Sequence, residues 1–142
     1  NMKVPTKYIV LKRRNIVEKA ISLHFAFETE QWYAKNESVL HTEEVKYHFH
    51  LINKHFQDLR KADLFWHNIF PVESANVMFV YYQDLTTRFE DTIQKINHFL
   101  GHGGLSIPKP PTQKQIHPLK KSFEKLFIAE YKHYRKTQEQ NS

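Results

Sequence analysis

Two short apolar runs, Tyr8-Ile9-Val10-Leu11 and Val77-Met78-Phe79-Val80-Tyr81, constrain this chain most, because each leads through a few polar residues into a helical pattern. A run of β-branched and aromatic residues without polar alternation predicts a strand covered on both faces, as in a parallel sheet. After the first run come Lys12-Arg13-Arg14-Asn15 and then Ile16, Ala20, Leu23 and Phe27, spaced three and four apart to form one apolar helix face. After the second come Tyr82-Gln83-Asp84 and a helix over about Thr87–Leu100, with Phe89, Ile93, Ile96 and Phe99 on one face and Gly101 to stop it.

Between the strands, Ala34–Thr42 reads as a polar loop. A long helix is expected from Glu43 to about Phe65, with Val45, Phe49, Ile52, Phe56 and Leu59 inward and Thr42 as N-cap. Pro71 and Glu73-Ser74-Ala75-Asn76 break the chain before the second strand. Ile107–Gln115, with its prolines and lysines, reads as an extended basic loop. A last amphipathic helix is expected from about Pro118 to Tyr134, burying Phe123, Leu126, Phe127 and Tyr131, with a frayed polar tail from Lys136. Strand–helix–helix–strand–helix is an α/β pattern with parallel strands, and 142 residues are expected to form a single domain.

The bulk chemistry narrows the function. No stretch approaches 18 consecutive apolar residues, so no membrane-spanning helix is expected, and the start lacks the apolar stretch of a signal peptide. There is no cysteine, which excludes disulfides and thiolate metal sites; with the missing leader, this suits a cytoplasmic protein. Among ten histidines, His48 and His50 are two apart and His50 and His55 five apart. Neither spacing stacks side chains on one helical face, and no metal site is expected. The net charge of +6 favours a polyanionic partner such as nucleic acid, an anionic membrane or a multiply phosphorylated nucleotide, although many soluble domains are mildly basic without one. Basic side chains alternate with aromatics along Lys54–His67, but helical spacing assigns those aromatics to a core, and nucleic acid is not expected as a partner.

In open α/β sheets ligands bind past the carboxyl ends of the strands, which singles out Arg13 and Arg14. Arginines grip phosphate through paired hydrogen bonds, and the helix after them begins with free N–H groups. Ser22, eight residues beyond Arg14, offers a further hydroxyl donor. The same residues also make sense as a solvated basic turn and a helix-surface serine. Gln31 and Trp32 suit a sugar-binding site, since aromatic faces stack on sugars, or Trp32 simply caps a core. Tyr82 and Asp84 suit a nucleotide contact or a structural strand end. His24 and Glu28, four apart on one helix, have the spacing of an acid–base pair, with nothing nearby to complete a catalytic set.

The order of these features resembles the sulfotransferases that use 3′-phosphoadenosine 5′-phosphosulfate (PAPS). An Arg after an apolar strand and a Ser eight residues on, Arg14 and Ser22 here, match the motif that binds the donor's 3′-phosphate in that family. The segment from Ser22 through Ala26 and Thr29 to Gln31-Trp32 is similar to the bacterial trehalose-sulfotransferase-like branch. So are Tyr82-Gln83-Asp84-Leu85 after the second strand and Phe99-Leu100-Gly101 at the end of the next helix. Lys114-Gln115 resembles a basic-Gln pair in the loop that closes over the nucleotide. The resemblance spans about Lys7 to Tyr131.

The resemblance implies a P-loop-kinase-like parallel sheet with flanking helices. It also implies transfer of a sulfuryl group from PAPS, without a metal, to a hydroxyl-bearing acceptor such as a carbohydrate. Arg14 and Ser22 are the main donor-binding residues it implies, with Arg13, Lys114 and Gln115 in support and Gln31 and Trp32 toward the acceptor. The family's phosphosulfate loop, of the Pro-Arg-Ser-Gly-Ser-Thr type, has no counterpart in these residues, and no catalytic base is identifiable. The fold is therefore expected to be incomplete, the C-terminal portion of a sulfotransferase whose missing N-terminal strand would lie between the two present. The alternatives are that the two strands pair differently, or that a partner, such as a second copy, fills the gap. A non-catalytic relative that binds nucleotide or a partner protein is the competing functional expectation.

Overall fold

The computed structural model describes residues 5–32, 41–70, 74–112 and 116–142. They form a mixed α/β structure that divides into two compact units. One unit draws on Asn1–Arg14 and Ala62–Lys114, the other on Asn15–Lys61 and Gln115–Ser142.

The first unit contains the sheet. Strand β1 (Tyr8–Lys12) pairs in parallel with β2 (Val77–Tyr81), in register from Tyr8 opposite Val77 to Lys12 opposite Tyr81. The Tyr8 N–H donates to the Asn76 carbonyl at 2.8 Å, which starts the ladder. The two strands pair directly with each other. Helices α3 (Tyr82–Thr87) and α4 (Phe89–Phe99) follow β2 and pack against it. The helix expected over about Thr87–Leu100 is α4, and the short α3 before it is an addition; Arg88, at φ −138° and ψ 54°, breaks the helical path between the two. Gly101, at φ +82°, takes the left-handed conformation that ends the chain's helical path, where any side chain would be strained.

Lysines tie β1 to the helices. The Lys7 ammonium donates to the Phe99 carbonyl and lies over the Phe99 ring. Lys12 sits 4.9 Å from the centre of the Phe79 ring and 3.6 Å from the Asp63 carboxylate, near the end of α2 (Phe49–Ile69). The expectation that β1 is covered on both faces is corrected: Tyr8, Ile9 and Leu11 are 46%, 42% and 60% exposed. Two strands make a narrow sheet, and α3 and α4 cover β2 rather than β1.

The second unit is helical, built from α1 (Ile16–Thr29), the first part of α2 and α5 (Pro118–Gln140). Its core is aromatic. Phe127 is fully buried, with its ring centre 5.5 Å from Phe49, 5.4 Å from Phe56 and 5.5 Å from Tyr131. Phe25 and Phe123 meet at 5.1 Å on the side toward α1. Asn15 caps α1, its side-chain oxygen accepting from the Glu18 N–H at 3.0 Å while its amide donates to Glu124 on α5, also at 3.0 Å.

Three expectations for this unit are corrected. The helix expected from Glu43 begins only at Phe49. Thr42–Glu44 forms a separate 3-10 turn, closed where the His41 N–H donates to the Glu44 carboxylate at 3.0 Å, so Thr42 is not the N-cap of α2. The extended backbone at Val45 then delivers that side chain to the core. The buried face of α1 is Ala20, Ile21, His24 and Phe25, while Phe27 is 54% exposed. A histidine is tolerated there because its ring nitrogen meets the Lys46 carbonyl at 2.9 Å. Helix α5 continues past Lys136 to Gln140, with Arg135 and Glu139 paired at 3.5 Å one turn apart, and Leu126 lies outward.

Phe127→Ala should lower the unfolding free energy by about 3–5 kcal/mol, because the surrounding rings cannot collapse into the space it leaves. Urea unfolding followed by circular dichroism checks this; a loss below about 1 kcal/mol would contradict the central role given to this ring.

Candidate functional site

The carboxyl ends of two parallel strands lie side by side by construction, and in the first unit this gathers Arg13 and Arg14 with Tyr81, Tyr82, Gln83 and Asp84. The Arg14 guanidinium donates to both oxygens of Asp84, at 3.2 and 3.3 Å, in a two-pronged ion pair. Its plane lies over the Tyr81 ring, 4.1 Å from the centre, and its backbone N–H donates to the Gln83 side-chain oxygen at 3.1 Å. Arg13 stacks on the next tyrosine, Tyr82, also at 4.1 Å. Arg88, one turn along from Asp84, donates to the same carboxylate at 3.0 Å.

One carboxylate thus serves two guanidiniums, and hydrogen bonds from Arg14 first and then Arg88 hold the Asp84 carboxyl below its ordinary range. Two guanidiniums share this one carboxylate and a third, Arg13, stacks on neighbouring Tyr82, so the group as a whole is net positive. A guanidinium has five N–H donors, and Asp84 occupies two of Arg14's, leaving the rest oriented but available. Chemically, guanidinium N–H groups left over from such a cluster are of the kind that can pair with an anion.

Of the residues singled out from the sequence, Arg13 and Arg14 are brought together here. Asp84 takes the structural role of the two considered for it. Gln83 was named only as part of the Tyr82-Gln83-Asp84-Leu85 run, and Tyr81 and Arg88 were not anticipated; the four-residue step from Asp84 to Arg88 was the available signal. Lys114 and Gln115 lie outside the described residues.

The remaining candidates belong to the second unit. Ser22 is half-buried on α1. Gln31 and Trp32 follow the end of α1, where Glu30 takes a left-handed conformation at φ 55° and the Gln31 N–H donates to the Thr29 hydroxyl at 3.3 Å. Trp32 is 50% exposed and meets the Phe27 ring edge-on at 4.9 Å, which leaves much of its indole open. Phe27 also stacks nearly flat on His55, 5.1 Å between centres and 8° between planes. His24 is buried against the Lys46 carbonyl and serves the core; it is not available as the acid–base partner of Glu28. Among the described residues no group of three or more His, Cys, Asp or Glu is placed to hold a metal ion, and no helix is long and apolar enough to cross a membrane.

Burial, followed by the nearby charge of His24, pulls the His55 imidazole below its ordinary pKa of 6.5. A base whose folded pKa is depressed imposes no cost above its unfolded pKa, and an increasing cost as pH falls from there through the folded value. The melting temperature should therefore be insensitive to His55 above about pH 7 and fall below about pH 6.5. Comparison with His55→Gln checks this: the variant should lose part of that acid-side slope, and identical slopes would refute it.

A model of the Stf0 sulphotransferase family matches residues 2–131 of the chain. No curated protein and no solved structure matches it.

Proposed function

This chain belongs to the Stf0 sulphotransferase family, and from that premise we propose that it holds PAPS and directs its sulfuryl group to a hydroxyl of a carbohydrate. In this reading its two strands are part of a P-loop-kinase-like sheet. Arg14 and Ser22 hold the donor's 3′-phosphate, Arg13 adds charge, and Lys114 and Gln115 close over the nucleotide. Gln31 and Trp32 face the acceptor, the half-open indole offering a flat surface to a sugar ring.

The observation that carries the reading is the fixing of Arg14 by Asp84 and Tyr81 at the end of a parallel strand pair. In sulfuryl transfer the acceptor oxygen attacks sulfur, the bond from sulfur to the phosphate oxygen breaks, and adenosine 3′,5′-bisphosphate leaves. The protein's share is positioning and neutralisation of charge, so a guanidinium already held in place reduces the reorganisation needed on binding.

Adenosine 3′,5′-bisphosphate should raise the melting temperature. At a hundred times its dissociation constant the stabilisation should be about 2.7 kcal/mol. Arg14→Ala should abolish the shift. Asp84→Asn, which releases the guanidinium while preserving shape, should weaken binding about tenfold, the scale of one charge-assisted hydrogen bond. A folded wild-type chain that shows no shift, or a shift indifferent to both substitutions, would overturn the assignment. Transfer is read separately, from sulfur-labelled PAPS incubated with a panel of sugars.

A further inference from the structure

We propose that a cleft at the amino end of β2 binds a small apolar zwitterion of the α-amino-acid kind. The cleft has a volume of about 730 Å³ and lies wholly within the first unit. Val77 and Met78, the first residues of β2, provide an apolar floor together with Phe99 at the end of α4. Asp84 comes after the opposite end of that strand, so the cleft is separated from the arginine cluster by the length of β2, roughly 13 Å at the usual rise per residue. It is a second place on the same sheet.

Its polar wall is one face of α4. Asp91, Lys95 and His98 succeed each other at steps of four and three residues, which stacks them along a single side of the helix. Asp91 and Lys95 have the spacing of an ordinary helix ion pair. Yet none of the ion pairs among the described residues involves either. Two opposite, exposed charges stand one turn apart, neither in an ion pair with a described residue, and complement a ligand that carries both signs close together.

An α-amino acid has that form. Its ammonium meets Asp91, its carboxylate meets Lys95 with His98 beside it, and its side chain lies on Val77, Met78 and Phe99. A purely anionic ligand would leave Asp91 facing like charge, and a purely cationic one would do the same to Lys95; like-charge juxtaposition selects against both. Phe99 is tied down as well as apolar, because Lys7, the residue before β1, binds its carbonyl and lies over its ring.

Isothermal titration with L-phenylalanine tests this directly, beside 3-phenylpropionate, which lacks the ammonium, and phenethylamine, which lacks the carboxylate. The amino acid should bind about tenfold more tightly than either analogue, the loss expected when one charge-assisted contact is removed. Asp91→Asn should bring L-phenylalanine down to the level of 3-phenylpropionate, and Lys95→Gln to that of phenethylamine. A side chain can be added at Gly103, where a Cβ meets His98 Nδ1 at an unstrained 3.7 Å, so Gly103→Leu should block the cleft in a folded chain. Absence of saturable binding, equal affinity for all the probes, or affinities unmoved by these substitutions would each overturn the proposal. The readout is binding at the amino end of the strand, so it stands or falls independently of the nucleotide titration.

Discussion

Parallel pairing of β1 with β2 is the constraint that sets the arrangement of charged groups. Antiparallel neighbours can be joined by a tight turn, but parallel ones require the chain to travel back the length of the strand before it pairs again. Here it leaves after Arg14, forms α1 and the first part of α2 in the other unit, and returns through the end of α2. Because both strands then finish at the same end, residues far apart in sequence meet: Arg14 beside Asp84, and the backbone of Arg14 beside Gln83. An antiparallel pair would have put these groups at opposite ends. The cluster of guanidiniums is therefore a consequence of strand direction as much as of composition.

The second unit meets a different demand. Its core is filled by rings, and rings tolerate a polar neighbour only if that neighbour's hydrogen bonds are met. His24 meets the condition through the Lys46 carbonyl, which the extended segment after the 3-10 turn brings into reach. Tyr47 in the same segment donates its hydroxyl to Glu130 on α5 at 2.9 Å, and burial together with that carboxylate raises the phenol's pKa. The irregular residues before α2 therefore link α1 and α5, which a continuous helix through them would not do.

The residues alone were informative wherever local chemistry decides the outcome. Both strands, the helices that come after them and the end of α4 were readable, because β-branched runs, three- and four-residue spacings and a glycine act locally. The start of α2 was not. Acidic residues at Glu43 and Glu44 suit a helix start, and an inward Val45 fits a helix as well as the extended backbone that it takes instead. The rotation of α1 was hidden for a related reason: a histidine counts as polar until its partner carbonyl is known. Exposure of β1 was misjudged because an apolar run carries no information about how many neighbours a sheet supplies. At the strand ends, Arg13 and Arg14 were legible from their place after a strand, whereas Tyr81 and Arg88 gain meaning only once the strands are paired.

The pairing of Arg14 bears on the binding role proposed for it. A free guanidinium on a long side chain must lose much of its rotamer freedom to grip a phosphate, at about 2 kcal/mol of entropy. Asp84 and Tyr81 hold Arg14 before any ligand arrives, one by two hydrogen bonds and the other by its ring face. Neither contact contributes much to the stability of so exposed a pair. Their effect is on geometry, since part of the ordering cost is met during folding and not on binding. Arg88 then matters through charge: by sharing Asp84 it keeps the carboxylate from neutralising Arg14 outright, and the strand ends remain attractive to an anion.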